Sequence, residues 1–485
     1  MIFHARMYIS ILSVICLLCL CSSTFSGNAK KNNNDVHRCF CELNGVVDDC
    51  TCKVESVSEF NNIRLFPPLN SLLNKNYFKF FKVNLHRPCP FWADDSRCAM
   101  KGCHVCPCSP DDLPCGLKEE SNENKYSADS NKPVDETGDE EEEECNKEKT
   151  EEDEDQLGAL DTTISRENML AFETWKTHDD AQLNFCEKED EHSGDVEYVD
   201  LLLNPERYTG YKGTSPHRIW SSIYNENCFR PETPESTATT YESFLSNKKL
   251  KDMCLEKRVF YRLISGLHSS INIHLCAKYL LSEGLFEQER WGRNIEEFQS
   301  RFDPETTDGE GPIRLKNLYF TYLVALRAIA KAAPVLEKEF FYTGEPVEDQ
   351  EVQRIVKEIL KIANSFPEHF DESAMFQGDQ QQALQLREEF RTHFRNISRI
   401  MDCVGCDKCK LWGKLQIKGL GTALKILFTE QGDTKKSKLT LDRGEIVALF
   451  NVFGKLSGSI VEIEEFQELL SQDKPSAPKK MPGFL

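Results

Sequence analysis

The sequence predicts a mainly α fold: a single helical-bundle domain with a loop-rich, disulfide-bonded N-terminal part that contains a β-hairpin. Three observations carry that prediction. Apolar residues recur at helix spacing in Val259–Leu281, Leu315–Ala332, Val352–Ile362 and Ala383–Met401, the three- and four-residue step that lays one helix face on a core. Strand signals are sparse over the same half of the chain. Cysteines crowd the other end, many of them one to five residues apart.

The N-terminus opens with Arg6, an apolar run from Met7 to Cys21 and then small polar residues, the layout of a cleaved signal peptide. Residues 1–26 are assigned to it, with the mature chain beginning near Ser26 or Gly27 and forming one domain, 27–485. The apolar run falls short of the roughly 20 residues that span a bilayer, and no later segment reads as apolar enough to span. Cys16, Cys19 and Cys21 would leave with the signal, yet most of the 21 cysteines remain. Such a count is ordinary only in an oxidising compartment. A chain of 485 residues with 39% hydrophobic content buries a large core without staples, so some of these cysteines have other work.

The first element after the signal is Cys39-Phe-Cys41 and Cys50-Thr-Cys52 around Asn44-Gly45, the dipeptide of a tight type I′ hairpin turn. Two nested disulfides follow across it, with Val46 and Val47 near the tip as a packed contact or a partner-binding knob. Next comes Cys98-Ala-Met-Lys-Gly-Cys103 in a Pro- and Gly-rich stretch, which reads as a mobile loop able to relay disulfides. Behind it lies the acidic run Asp135–Asp155, with Cys145 inside it. That run cannot bury apolar surface and reads as a solvated loop. The net charge of −21 and the lack of a basic cluster exclude nucleic-acid binding.

Among the helical stretches, Phe390, Phe394, Ile397, Met401 and Val404 mark one buried face. If that helix continues, Cys403, Cys406 and Cys409 lie at successive steps of three, and both neighbouring pairs can meet across a turn. Spacing alone does not choose between the two Cys-x-x-Cys frames. Gly405 either lets a ligand or backbone approach or makes a simple kink. A Cys-x-x-Cys at a helix start exchanges disulfides readily, because the dipole favours the thiolate. Zinc on Cys98, Cys103, His104, Cys106, Cys108 and Cys115 is the competing chemistry; their spacings match no common finger pattern, so no metal is assigned.

Cysteines only pass electrons on, so an oxidase needs an acceptor such as flavin. No Gly-x-Gly-x-x-Gly follows a strand, which argues against a dinucleotide-binding α/β site. A bundle could hold flavin by aromatic stacking and Arg or His contacts. A disulfide-rich luminal metal- or calcium-binding protein is the alternative class. The acidic run lacks the alternating ligand spacing of a calcium loop.

Four motifs then point to one family: Arg87-Pro-Cys89-Pro-Phe-Trp92, Asn204-Pro-Glu-Arg-Tyr-Thr-Gly-Tyr-Lys-Gly213, Ser265-Gly-Leu-His268 and Asp402-Cys-Val-Gly-Cys-Asp-Lys-Cys409. With them the chain resembles the endoplasmic reticulum oxidoreductins, flavin-dependent oxidases that reoxidise protein disulfide isomerase. The resemblance implies a shuttle pair at Cys98 and Cys103 and an inner pair at Cys406 and Cys409, with Cys409 nearer the flavin. Electrons would pass from the isomerase through both pairs to FAD and then to dioxygen, giving hydrogen peroxide in the endoplasmic reticulum lumen. It implies FAD contacts at Arg207, Thr209, Trp220, Ser265, His268, Arg301 and Arg314. It further implies structural disulfides Cys39 with Cys52, Cys41 with Cys50, Cys89 with Cys403 and Cys228 with Cys254, the hairpin docking on the isomerase. Inactivating pairings of Cys98 with Cys145 and of Cys103 with Cys108 complete the set.

Three residues depart from the family pattern: Cys106 and Cys115 are additional, and Asp407 stands where an apolar or aromatic side chain is expected. An acid there would disfavour a nearby thiolate unless it points to solvent. Asn396-Ile-Ser398 is a glycosylation sequon inside a helical stretch. Met481–Leu485 is no Lys-Asp-Glu-Leu signal, so retention is expected through partners or peripheral membrane association.

Overall fold

Pro67 and Pro68 open a helix near the N-terminal end, where a missing N–H removes no intrahelical bond, and from there helices account for most of the computed structural model. It describes residues 54–91, 103–118, 185–186, 195–206, 214–225, 255–281, 290–367, 370–376, 380–429 and 439–472, which all lie in one compact unit, Cys41–Leu485. The hairpin cysteines Cys39, Cys41, Cys50 and Cys52, with Cys98, Cys145, Cys228 and Cys254, fall outside them, as do the signal and acidic segments.

The chain runs from α1 (Val54–Glu59) through a π-helical turn (Phe60–Leu65) into α2 (Phe66–Leu73) and α3 (Asn76–Lys79). Strand β1 (Phe80–Val83) pairs antiparallel with β2 (Glu197–Asp200), Phe80 opposite Asp200. Then follow α4 (Thr214–Asn225), α5 (Leu255–Ala277), the ribbon β3 (Tyr279–Leu281) and β4 (Arg290–Gly292), α6 (Ile295–Phe302), α7 (Glu310–Leu336), α8 (Pro346–Asn364), α9 (Gln380–Ile400), α10 (Asp407–Phe428) and α11 (Arg443–Gln472). The mainly α prediction holds. The periodic stretch Val259–Leu281 is cut short, because Tyr279–Leu281 leaves the helix to pair with β4, Leu280 opposite Trp291; cross-strand pairing overrides the period there.

Helices α5, α7, α10 and α11 pack on one another and form the core. Two glycines permit the closest approaches. A Cβ on Gly266 of α5 would strike the Thr321 side chain and the Asn317 carbonyl of α7, and one on Gly419 of α10 would strike the Ala448 carbonyl of α11. Helices α7 and α11 are long and apolar enough to cross a membrane by length and composition, which corrects the expectation that no later segment is. Their apolar windows are 78% and 83% buried in the bundle, so they are apolar all round because they are core helices.

A buried ion network fixes the junction between α9 and α10. Asp402, 3% exposed, takes Arg399 Nη1 at 2.7 Å and Lys414 Nζ at 2.8 Å. Lys414 Nζ also donates to the Asn84 carbonyl at 2.7 Å, and Lys410 Nζ to the Leu85 carbonyl at 3.2 Å. The strand exit 84–91 is thereby strapped to the first turns of α10.

Candidate active site

Helix α9 does not continue through the cysteines. It ends at Ile400, Met401–Cys403 form a 3₁₀ turn, and Val404 is extended at φ −79° and ψ 120°. Cys406, also extended, then becomes the N-cap of α10. Gly405 is exposed in this connection rather than inside a helix. The break separates the two frames that spacing left open. Cys403 is bonded to Cys89, with Cα atoms 4.4 Å apart, whereas Cys406 and Cys409 face each other across the first turn of α10.

In this structure Cys406 and Cys409 are both in the thiol form and both buried. Cys409 N donates to Cys406 Sγ at 3.3 Å. The sulfur therefore accepts one of the backbone N–H groups that every helix start leaves without an intrahelical partner. The same N-terminal dipole favours negative charge on sulfur. Against this pair packs Cys103, 303 residues earlier in number, with Val404 beside it. Lys408 N donates to the Cys103 carbonyl at 2.9 Å, so the loop is held by backbone to the helix start.

The surrounding cysteines differ in state. Cys103 and Cys106 are each disulfide-bonded, while Cys108 and Cys115 are thiols; the Cys103–Cys108 pairing is thus not formed here. Burial pushes the Cys108 thiol up to about 11, helped by the charges of Asp112 and Asp200 and opposed by Lys79. Asp407 turns outward, its side chain 47% exposed and 3.9 Å from His104 Nδ1. Its carboxylate at the first position of α10 faces water rather than the inner pair.

A second cluster forms from four elements. Trp220 of α4 stacks on His268 of α5, with ring centroids 3.7 Å apart and planes 15° apart. Tyr224 Oη lies 3.0 Å from His268 Nδ1. Arg301 of α6 donates from Nη1 to Asn272 Oδ1 at 2.7 Å and pairs with Glu297. Arg314 of α7 donates from Nη1 to the Arg301 carbonyl at 3.0 Å. Burial, then the guanidinium charges of Arg301 and Arg314, hold His268 well below the usual imidazole range, so its ring is neutral. Ser265 lies one turn earlier on α5, and its hydroxyl accepts from Asn317 Nδ2 at 3.0 Å. Arg207 and Thr209 lie outside the described residues.

Sequence reading missed Tyr224 and Asn204. The Trp220/Tyr224 spacing of four on a helix was an available signal for the first. For the second, the Asp200-to-Asn204 turn, in which Asp200 Oδ1 accepts from Leu202 N at 2.8 Å, is the local bonding typical of Asp and Asn. Asn396 is buried in α9, so the folded helix does not offer the sequon to solvent.

Comparisons with known proteins show the family of the chain. The family model described as Endoplasmic Reticulum Oxidoreductin 1 (ERO1) matches residues 64–463. The chain belongs to the endoplasmic reticulum oxidoreductin family. It is 50% identical over 465 residues to ERO1-like protein alpha of Homo sapiens, covering 92% of this chain and 95% of that one. It is 49% identical over 475 residues to the Ero1-like protein of Drosophila melanogaster, covering 94% and 96%. Among solved structures it is similar to Ero1p, described as the source of disulfide bonds for oxidative protein folding in the cell, with TM-score 0.55, 25% identity, and 86% and 98% of the two chains covered. This oxidoreductin is therefore an endoplasmic reticulum oxidoreductase of thiol–disulfide chemistry in oxidative protein folding.

Proposed function

We propose that this oxidoreductin is an FAD-dependent thiol oxidase that reoxidises protein disulfide isomerase in the endoplasmic reticulum lumen. The observation that carries this reading is the packing of Cys103 against Cys406 and Cys409, two cysteine groups far apart in sequence brought into contact at a helix start. Disulfide exchange needs such an approach of one sulfur to another. Reduced isomerase would hand two electrons to the Cys98/Cys103 pair, which hands them to Cys406/Cys409.

The second cluster fits FAD. Trp220 offers an indole face already in a stack, the adjacent Arg301 and Arg314 offer guanidinium groups suited to phosphate, and neutral His268 can donate or accept without adding charge. Arg207, Thr209 and Ser265 complete the proposed set. When bound, the flavin would accept the electron pair from the inner dithiol and pass it to dioxygen, giving hydrogen peroxide.

Purified protein should be yellow, and it should consume oxygen when given reduced isomerase. A colourless, folded preparation with no oxygen uptake would reject the oxidase reading.

A further inference from the structure

We propose that Asn204 is the positioning residue that holds the shuttle loop in register with the inner pair. This rests on the reading of Cys103 as half of the shuttle. Asn204 is fully buried. Its Oδ1 accepts from Cys106 N at 2.6 Å, and its Nδ2 donates to the Cys106 carbonyl at 2.9 Å and to the Asp200 carbonyl at 3.1 Å. A side-chain amide carries the same donor and acceptor as a peptide group, so Asn204 satisfies Cys106 as a paired strand would, in a loop that forms no strand ladder among the described residues. The Asn204 carbonyl in turn accepts from Trp412 Nε1 at 2.7 Å. Trp412 is one turn beyond Cys409 on α10.

The segment from Cys103 to Cys106 is thus held at both ends by the same helix. At one end Lys408 N donates to Cys103 O; at the other Trp412 holds Asn204, and Asn204 holds Cys106. The placement of Cys103 on the inner sulfurs depends on both attachments. A displacement of about 1 Å in a reacting group can slow a reaction on the order of a hundredfold.

The exchange that this bracket serves balances within the chain. A thiolate of the reduced shuttle attacks Cys406 Sγ and breaks the Cys406–Cys409 bond, with Cys409 leaving as thiolate. The second shuttle thiolate then displaces Cys406, closing the Cys98–Cys103 bond. Two electrons move inward, and the two thiol protons of the shuttle end on the inner dithiol.

The test uses the reverse half-step, which requires neither flavin nor isomerase. In Cys409→Ala protein prepared with an oxidised shuttle, Cys406 thiolate attacks the shuttle disulfide, forms the mixed disulfide and releases one shuttle thiolate. Its rate of appearance is read by mass spectrometry of the linked peptides. Asn204→Asp keeps the volume and removes both Nδ2 donations; it should slow trapping at least about tenfold. Trp412→Phe should slow it about threefold. In otherwise wild-type enzyme, Asn204→Asp should lower kcat for reduced isomerase and leave KM unchanged, a split that general destabilisation would not give. Trapping at the parent rate in folded Asn204→Asp would overturn the proposal. If that variant does not fold, parent-rate trapping in Trp412→Phe overturns it instead. Absence of oxygen uptake in the wild-type protein would strike the oxidase reading and leave the trapping result standing.

Discussion

Cys406 and Cys276 are both buried thiols at the ends of long helices, and they sit at opposite ends. Cys406 caps the start of α10 and receives a backbone N–H from Cys409. Cys276 is the penultimate residue of α5, fully buried, where the helix presents carbonyls. An anion is favoured at the first position and disfavoured at the second. Burial pushes the Cys276 thiol up to about 12, with Glu297 adding to the shift and Arg301 opposing it. Equal burial therefore gives unequal chemistry. What separates a redox cysteine from a packing cysteine here is helix polarity together with a second sulfur within reach.

The largest test of that contrast is a pair of substitutions. Cys409→Ala should reduce oxygen uptake with reduced isomerase to background while the flavin absorbance stays, because the inner pair passes electrons and does not hold the cofactor. Cys276→Ala should leave uptake within about twofold, since a buried thiol with a raised pKa is a poor nucleophile. Loss of turnover in Cys276→Ala, or normal turnover in Cys409→Ala, would break the comparison.

The next effect concerns how the helix start is fixed. Asp402 sits between Arg399 and Lys414, all three buried. Removing one partner leaves charge without compensation, so Asp402→Ala should lower stability by about 3 to 5 kcal/mol in urea titration. A loss of under about 1 kcal/mol would show that the Cys89–Cys403 bond alone sets the junction.

Much of this molecule was legible in the sequence, and unevenly. Amphipathic α8 and α9 announce themselves because one face meets solvent, so the period survives in Val352, Ile355, Val356 and Ile359. Helix α11 gave no such signal, because it is buried on most sides and apolar positions fill every face. In α10 the glycines Gly413, Gly419 and Gly421 further hide a helix that tertiary packing imposes. The thiol site was half-visible. The Cys-x-x-Cys spacing is local, but the break at Val404 that chooses its frame is set by Asp402, Arg399 and Lys414 in space. The cluster around His268 draws on α4, α5, α6 and α7, and no local pattern joins those side chains. Asn204 acts through its amide on a loop nearly a hundred residues earlier, which spacing cannot show.

The smallest expected effect isolates Cys276 by pH. Its ordinary value of 9.0 applies in the unfolded chain, and the folded value is about 12. Below pH 9 the thiol is protonated in both states and contributes no slope. Between 9 and 12 the unfolded chain loses the proton and the folded chain keeps it, so the folded state binds more protons and stability falls as pH rises. The slope from this group approaches about 1.4 kcal/mol per pH unit inside that window. Other groups titrate in the same range, and the difference between wild type and Cys276→Ala removes them. The wild-type advantage left by the lost sulfur contact should be constant up to pH 9 and shrink above it. A difference that stays flat from pH 8 to about 11 would mean that the sulfur ionises as easily in the folded helix end as in water, and the polarity contrast with Cys406 would fail on its inert side.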